Sequence, residues 1–227
     1  MRLKNRAIQI VEGGAAGMAI KPILFNGEMV RAILDGRKSC TRRVVKTRRK
    51  DACGFYVTKN ADGSCAGVYE HDDEGRMFES PMKLPYLPGD LMYVRETWGE
   101  GYSEGTYIYK ADDKLAEIPT FKESSKILYH PSIRMPKEAA RIWLKVTDVR
   151  VERLQNITDD GAKAEGANWK NGKNVGWEEK MKRTATERFA EIWNSTIKKS
   201  DLNRYGWAAN PWVWVIQFDR CEKPKEA

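Results

Sequence analysis

The chain has 227 residues, 41% of them hydrophobic and 32% charged, with a formal net charge of +8 and an isoelectric point near 9.2. These proportions exclude a disordered or fibrous chain and suit one sizeable globular domain. No apolar stretch reaches the roughly 20 residues of a membrane-spanning helix, and the basic balance suits nucleic-acid or nucleotide partners.

Residues 1–17 lack the patterning of the rest and read as an extension ahead of a natural start at Met18, not as a signal peptide. A first strand follows over 20–25, with Pro22 marking it as an edge strand. Asn26 suits a helix N-cap, Met29, Val30, Ile33 and Leu34 recur at helical spacing, and Gly36 suits the position just past the helix. Next comes Gly36-Arg37-Lys38-Ser39-Cys40-Thr41-Arg42-Arg43, leading into a strand over 41–46. Residues 47–84 read as an insertion, with a hairpin turning at Asn60–Gly63.

A turn at 86–90 precedes a strand over 91–98, and 106–110 is predicted to pair with it. Residues 111–135 read as a second insertion. Residues 141–154 alternate apolar and polar, with a phase shift near Asp148 that predicts a bulge or turn. Thr158 caps a helix over 159–165, and 168–175 is a loop. A longer helix spans 178–197, and residues 212–218 form an apolar, central last strand. Residues 223–227 are a tail. Five or six strands with a few helices make an α+β, barrel-like single domain over 18–222, with no repeat and no nucleotide-binding glycine motif.

Cys40, Cys53, Cys65 and Cys221 form no C-x-x-C pair, and His71 and His130 are the only histidines. No metal site or cofactor is expected. Cys53 and Cys65 flank the hairpin, and reduced cytoplasmic thiols are the favoured reading.

The densest chemistry lies at 36–43. Three arginines and a lysine there either hold an anion or make Lys38 easier to deprotonate. Lys38 and Arg43 read as site cations or as solvated basic surface, and Thr41 as a nucleophile or an ordinary strand residue. In an ideal strand Lys38 and Thr41 point to opposite faces, so they meet only if residues 38–40 turn. One of Arg95 and Glu96 must face inward. Arg95 would face a pocket beside Glu165 or a substrate phosphate, or else sit in a surface ion pair. Trp98 is a candidate platform for a base.

Several motifs in order carry a resemblance: a helix followed by G-R-K-x-x-T-x-R, then P-G-D with V-R-E-T-W, a long strand leading to I-T-x-x-x-A-x-x-E-G, and the aromatic ending N-P-W-V-W-V-I-Q-F. Together they resemble the ASCH domain over about 20–218, and the long form resembles members encoded by bacteriophages and prophages. The resemblance implies a PUA-like fold: a small mixed β-barrel of five to six strands with flanking helices and two insertions. Some members, such as bacterial acetylcytidine amidohydrolase, are enzymes using a lysine, a threonine and a glutamate. Carried onto this chain, these are Lys38, Thr41 and Glu165; Arg37, Arg42, Arg43, Arg95 and Trp98 are the candidate binding residues by their charge and aromatic character. Three functions follow: an RNA- or nucleotide-binding module, a hydrolase of modified nucleosides or RNA, or a phage assembly or regulatory factor.

Overall fold

The computed structural model describes residues 18–61, 65–101, 103–112, 128–167 and 184–225. The predicted 1–17 extension, the 168–175 loop and the 178–183 part of the long helix lie outside them.

The first strand, β1 (Ile20–Leu24), is an edge strand, and Pro22 tolerates that place because an edge leaves one backbone row unpaired. Helix α1 (Gly27–Leu34) begins where the Asn26 side chain accepts the Met29 N–H, and ends where Gly36 takes a left-handed conformation, φ +71°. The chain then enters β2 (Cys40–Val44). Strands β3 (Gly54–Lys59) and β4 (Cys65–His71) form the hairpin of the 47–84 region. That region also contributes Phe55, Val68 and Met82 to the main core. All four cysteines are free thiols.

Strand β5 (Leu91–Arg95) runs parallel to β1. The predicted partnership of 106–110 with a strand over 91–98 holds only at that strand's far end, Thr97-Trp98. The chain breaks at Glu96-Thr97 and restarts as β6 (Trp98–Glu100), and β7 (Tyr107–Tyr109) pairs with β6. The longest strand, β8 (Trp143–Arg153), carries a register shift between Val146 and Asp148, where the phase change was predicted. Helix α2 (Asp159–Ala164) starts at Thr158, whose side chain accepts the Gly161 N–H. Helix α3 (Ala185–Thr196) starts with a capping box between Thr184 and Glu187. The last strand is β9 (Trp212–Cys221).

The main sheet has five strands in the order β1-β5-β8-β9-β2, antiparallel except for β1 and β5. Among the described residues its pairing does not close: β1 and β2 are free edges. The protein is thus α+β, with one mixed sheet and two small ones. One face packs Met92, Val94, Leu144 and Ile216 against Val30 and Ile33 of α1. The other packs Val213 and Val215 against Leu154 and against Phe189 and Trp193 of α3. Each such buried side chain contributes about 1.5–3 kcal/mol. Among the described residues, no helix is long and apolar enough to cross a membrane.

Candidate functional site

Residues 38–40 leave α1 in an irregular turn. The Lys38 and Ser39 N–H groups donate to Ala32 and Ala164 carbonyls, and Lys38 forms an isolated antiparallel bridge with Glu165. Glu165 is the C-cap of α2, and Gly166 follows at φ +86°. A Cβ on Gly166 would lie 2.8 Å from Ala32 Cβ and 3.5 Å from Lys38 Cβ. This close approach presses the end of α2 onto the end of α1 and brings the two charged residues together.

The Lys38 side chain is fully buried and that of Glu165 is 5% exposed. Lys38 Nζ donates to Glu165 Oε2 at 2.7 Å, to the Cys40 carbonyl at 2.7 Å and to the Glu165 carbonyl at 2.9 Å. An ammonium has three N–H donors, so all are used. Nζ also lies 5.4 Å from the centre of the Phe25 ring. The other carboxylate oxygen of Glu165, Oε1, accepts from Arg42 Nη1 at 3.3 Å. Arg42 is in turn held by Glu152 Oε1, at 2.7 Å from Nη2 and 3.2 Å from Nε. The result is a buried chain of alternating charge, Lys38–Glu165–Arg42–Glu152, continued at 3.4 Å by Arg150.

Burial lowers the Arg42 pKa, but Glu165 and Glu152 outweigh it and leave it raised. Burial lowers that of Arg43, with Glu165 opposing. The Cys40 thiol is pushed up to about 12 by burial and by the Glu165 charge, against Lys38 and Arg42. It is therefore a packing group and not a nucleophile.

Beside this chain lies a cleft of about 230 Å³ lined by Met29, residues 41–44 of β2, Glu165 and the Phe189–Ile197 side of α3. Successive strand residues point to opposite faces, so four in a row can line one cleft only along a strand edge. The pairing agrees. Phe218 N donates to Ser39 O, and Val45 N donates to Trp212 O. The alternation thus turns the backbone of Thr41 and Arg43 toward β9, and that of Cys40, Arg42 and Val44 toward the free edge. The Cys40 carbonyl on this edge is taken by Lys38. The Arg42 N–H and C=O are an adjacent donor and acceptor on this edge, along which the cleft runs.

The predicted residues divide. Lys38, Thr41, Arg42, Arg43 and Glu165 come together at the cleft or directly behind it. Arg42 lines the cleft, and its side chain, 3% exposed, is engaged by two carboxylates and holds Glu165 in place. Arg37 donates to Asp35 at 2.8 Å and to the Gly166 carbonyl at 3.5 Å, a local pairing outside the cleft wall. Arg95 does not lie beside Glu165; it donates to the Ile133 carbonyl and the Tyr93 hydroxyl. The inward-facing member of that pair is Glu96, 1% exposed and gripped by two nitrogens of Arg141. Trp98 is not among the residues lining the cleft. It is buried between Tyr107 and His130, ring centres 5.7 and 5.1 Å away, and offers no face to a base.

Glu152 and the α3 wall were not predicted. Glu152 sits in an alternating strand where a polar residue is expected to face solvent, and nothing local marks its partner 110 residues away. Comparison of the chain with protein-family models, curated proteins and solved structures gives no match.

Proposed function

We propose that the chain is an ASCH-type, PUA-like protein of the phage or prophage kind, whose five-stranded mixed sheet corresponds to that fold's barrel. Its cleft binds a nucleoside, alone or within RNA, and hydrolyses an amide on the base. The observation that carries this reading is the buried Lys38–Glu165 pair at 2.7 Å behind a cleft whose wall includes Thr41. These are the three positions that the family resemblance marks. A planar base presents donors and acceptors side by side, and the outward Arg42 N–H and C=O offer the complementary pair. Arg43, with one N–H on the Leu24 carbonyl, has donors left for a ligand carbonyl or phosphate.

The chemistry assigns each group one task. A proton passes from Lys38 Nζ to Glu165 Oε2 along their hydrogen bond, leaving a neutral amine. As the Thr41 oxygen attacks the amide carbon, that amine takes the hydroxyl proton. The C–N bond breaks, the leaving amine receives a proton from the Lys38–Glu165 pair, and an acyl-threonine ester remains. Water hydrolyses the ester and restores the hydroxyl. Arg42 and Glu152 keep Glu165 aimed at Lys38 throughout.

A second reading, binding without catalysis, is favoured by one observation: all three Lys38 donors are on protein acceptors and none is on Thr41. The test is turnover of acetylcytidine and of acetylated short RNA by the wild type, Lys38→Ala and Glu165→Gln, with circular dichroism to establish folding. The hydrolase requires wild-type turnover that falls about 10²–10⁴-fold in both folded variants. An inactive wild type that binds RNA in a salt-sensitive way supports the second reading. Neither turnover nor binding refutes both.

A further inference from the structure

Several arginines among the described residues are neutralised. Arg37, Arg42, Arg48, Arg49, Arg76, Arg141 and Arg150 each have a carboxylate partner within 4.0 Å. Arg43, Arg95 and Arg134 have none among the described residues, as is also true of Arg31, Arg153, Arg204 and Arg220, but these three are joined in space. Arg43 Nη2 donates to the Leu24 carbonyl at 2.9 Å. Leu24 on β1 is the register partner of Arg95 on β5, so the two residues are about 5 Å apart. Arg95 Nη1 donates to the Ile133 carbonyl at 3.2 Å, and Arg134 is the next residue.

Two further features mark this line. Arg95 Nε is buried without an acceptor, while Nη1 and Nη2 each make one hydrogen bond and keep a second N–H for an incoming oxygen. The arginines are also interleaved with exposed apolar side chains, Leu24 at 45% and Ile133 at 65%. Cations at intervals with apolar contacts between them fit a flexible strand that alternates phosphates and bases.

We infer that a single strand of RNA leaves the cleft at Arg43 and crosses the ends of β1 and β5, its phosphates on Arg43, Arg95 and Arg134 and its bases against Leu24 and Ile133. The inference rests on the nucleoside reading of the cleft and makes the substrate a nucleotide within a strand. It gives Arg95 a phosphate partner away from Glu165.

The test is fluorescence anisotropy of labelled oligouridylate across a salt series, with wild type, Arg95→Ala, Arg134→Ala, and Arg76→Ala as a paired arginine elsewhere. Each lost phosphate contact lowers the slope of log affinity against log salt by about 0.7 for a single strand. Arg95→Ala and Arg134→Ala are expected to show that drop and Arg76→Ala none. Arg134 is exposed, so its variant keeps the test valid if Arg95→Ala fails to fold. An unchanged slope in Arg134→Ala, an equal drop in Arg76→Ala, or tighter binding of polyglutamate than of oligouridylate overturns the track. Acetylcytidine binding to the wild type separates the two levels: binding retained alongside such a result overturns the track alone, and binding absent overturns the cleft reading beneath it.

Discussion

Replacing Glu165 with Gln tests the buried charge chain by an asymmetry. The substitution keeps the shape but removes the only carboxylate beside Lys38 among the described residues, whose side chain is fully buried. The ammonium is left with the Cys40 and Glu165 carbonyls and one amide oxygen. Uncompensated buried charge costs about 3–5 kcal/mol, and at 2–4 °C per kcal/mol for a chain of this size the melting temperature falls roughly 6–20 °C. Lys38→Met is milder, because Glu165 keeps the Arg42 guanidinium at 3.3 Å; losing one charge-assisted partner costs about 1–3 kcal/mol. The double variant restores part of the loss, with a coupling of about 1–3 kcal/mol. Urea denaturation followed by circular dichroism measures all three. Equal losses in the two single variants, or strict additivity in the double, would refute the view that Lys38 depends on Glu165 more than the reverse.

Three other outcomes are expected. Gly166→Ala forces a side chain into a left-handed conformation and against Ala32; the backbone alone costs about 1–2 kcal/mol, read by urea denaturation, and a cost near zero removes the close approach as a cause of the pairing. Thiol labelling of the native protein at pH 8 should modify exposed Cys53 first and leave Cys40 untouched until urea unfolds the chain, and early labelling of Cys40 contradicts its raised pKa. Burial raises the Asp90 pKa, but Lys21 and the Leu87 and Ala19 N–H groups outweigh it and hold it low. Its stabilisation is therefore full above the unfolded value of about 3.9 and is lost as pH falls through the lower folded value, so Asp90→Asn should flatten acid unfolding below about pH 4.

Much of the frame was legible because its signals are local. Asn26 and Thr158 cap the helices they were read to cap, and the phase change near Asp148 is a register shift. The meeting of Lys38 and Glu165 came from the family motif, since no periodicity links positions 127 residues apart. What stayed hidden depends on direction. Alternation says that one of Arg95 and Glu96 turns inward but not which; the Arg141 guanidinium on the neighbouring chain segment decides for Glu96. Trp98 reads alike as a platform or as packing until Tyr107 and His130 close over it. Arg42 looked like a ligand cation because Glu152, its stronger partner, lies on a strand far along the chain.

The Lys38–Glu165 bridge also bears on when the cleft can form. Its two halves are contributed by the first and last thirds of the chain, and β9 must already lie beside β2 to hold Lys38 at the strand entrance. Contacts of such long separation form after local ones, because the intervening chain must close first. Residues 20–150 therefore cannot form this cleft by themselves, since they lack Glu165 and the α3 wall. Glu165, the Phe189–Ile197 wall and β9 complete the cleft, so its shape is a late gauge of how far the sheet and helices have come together.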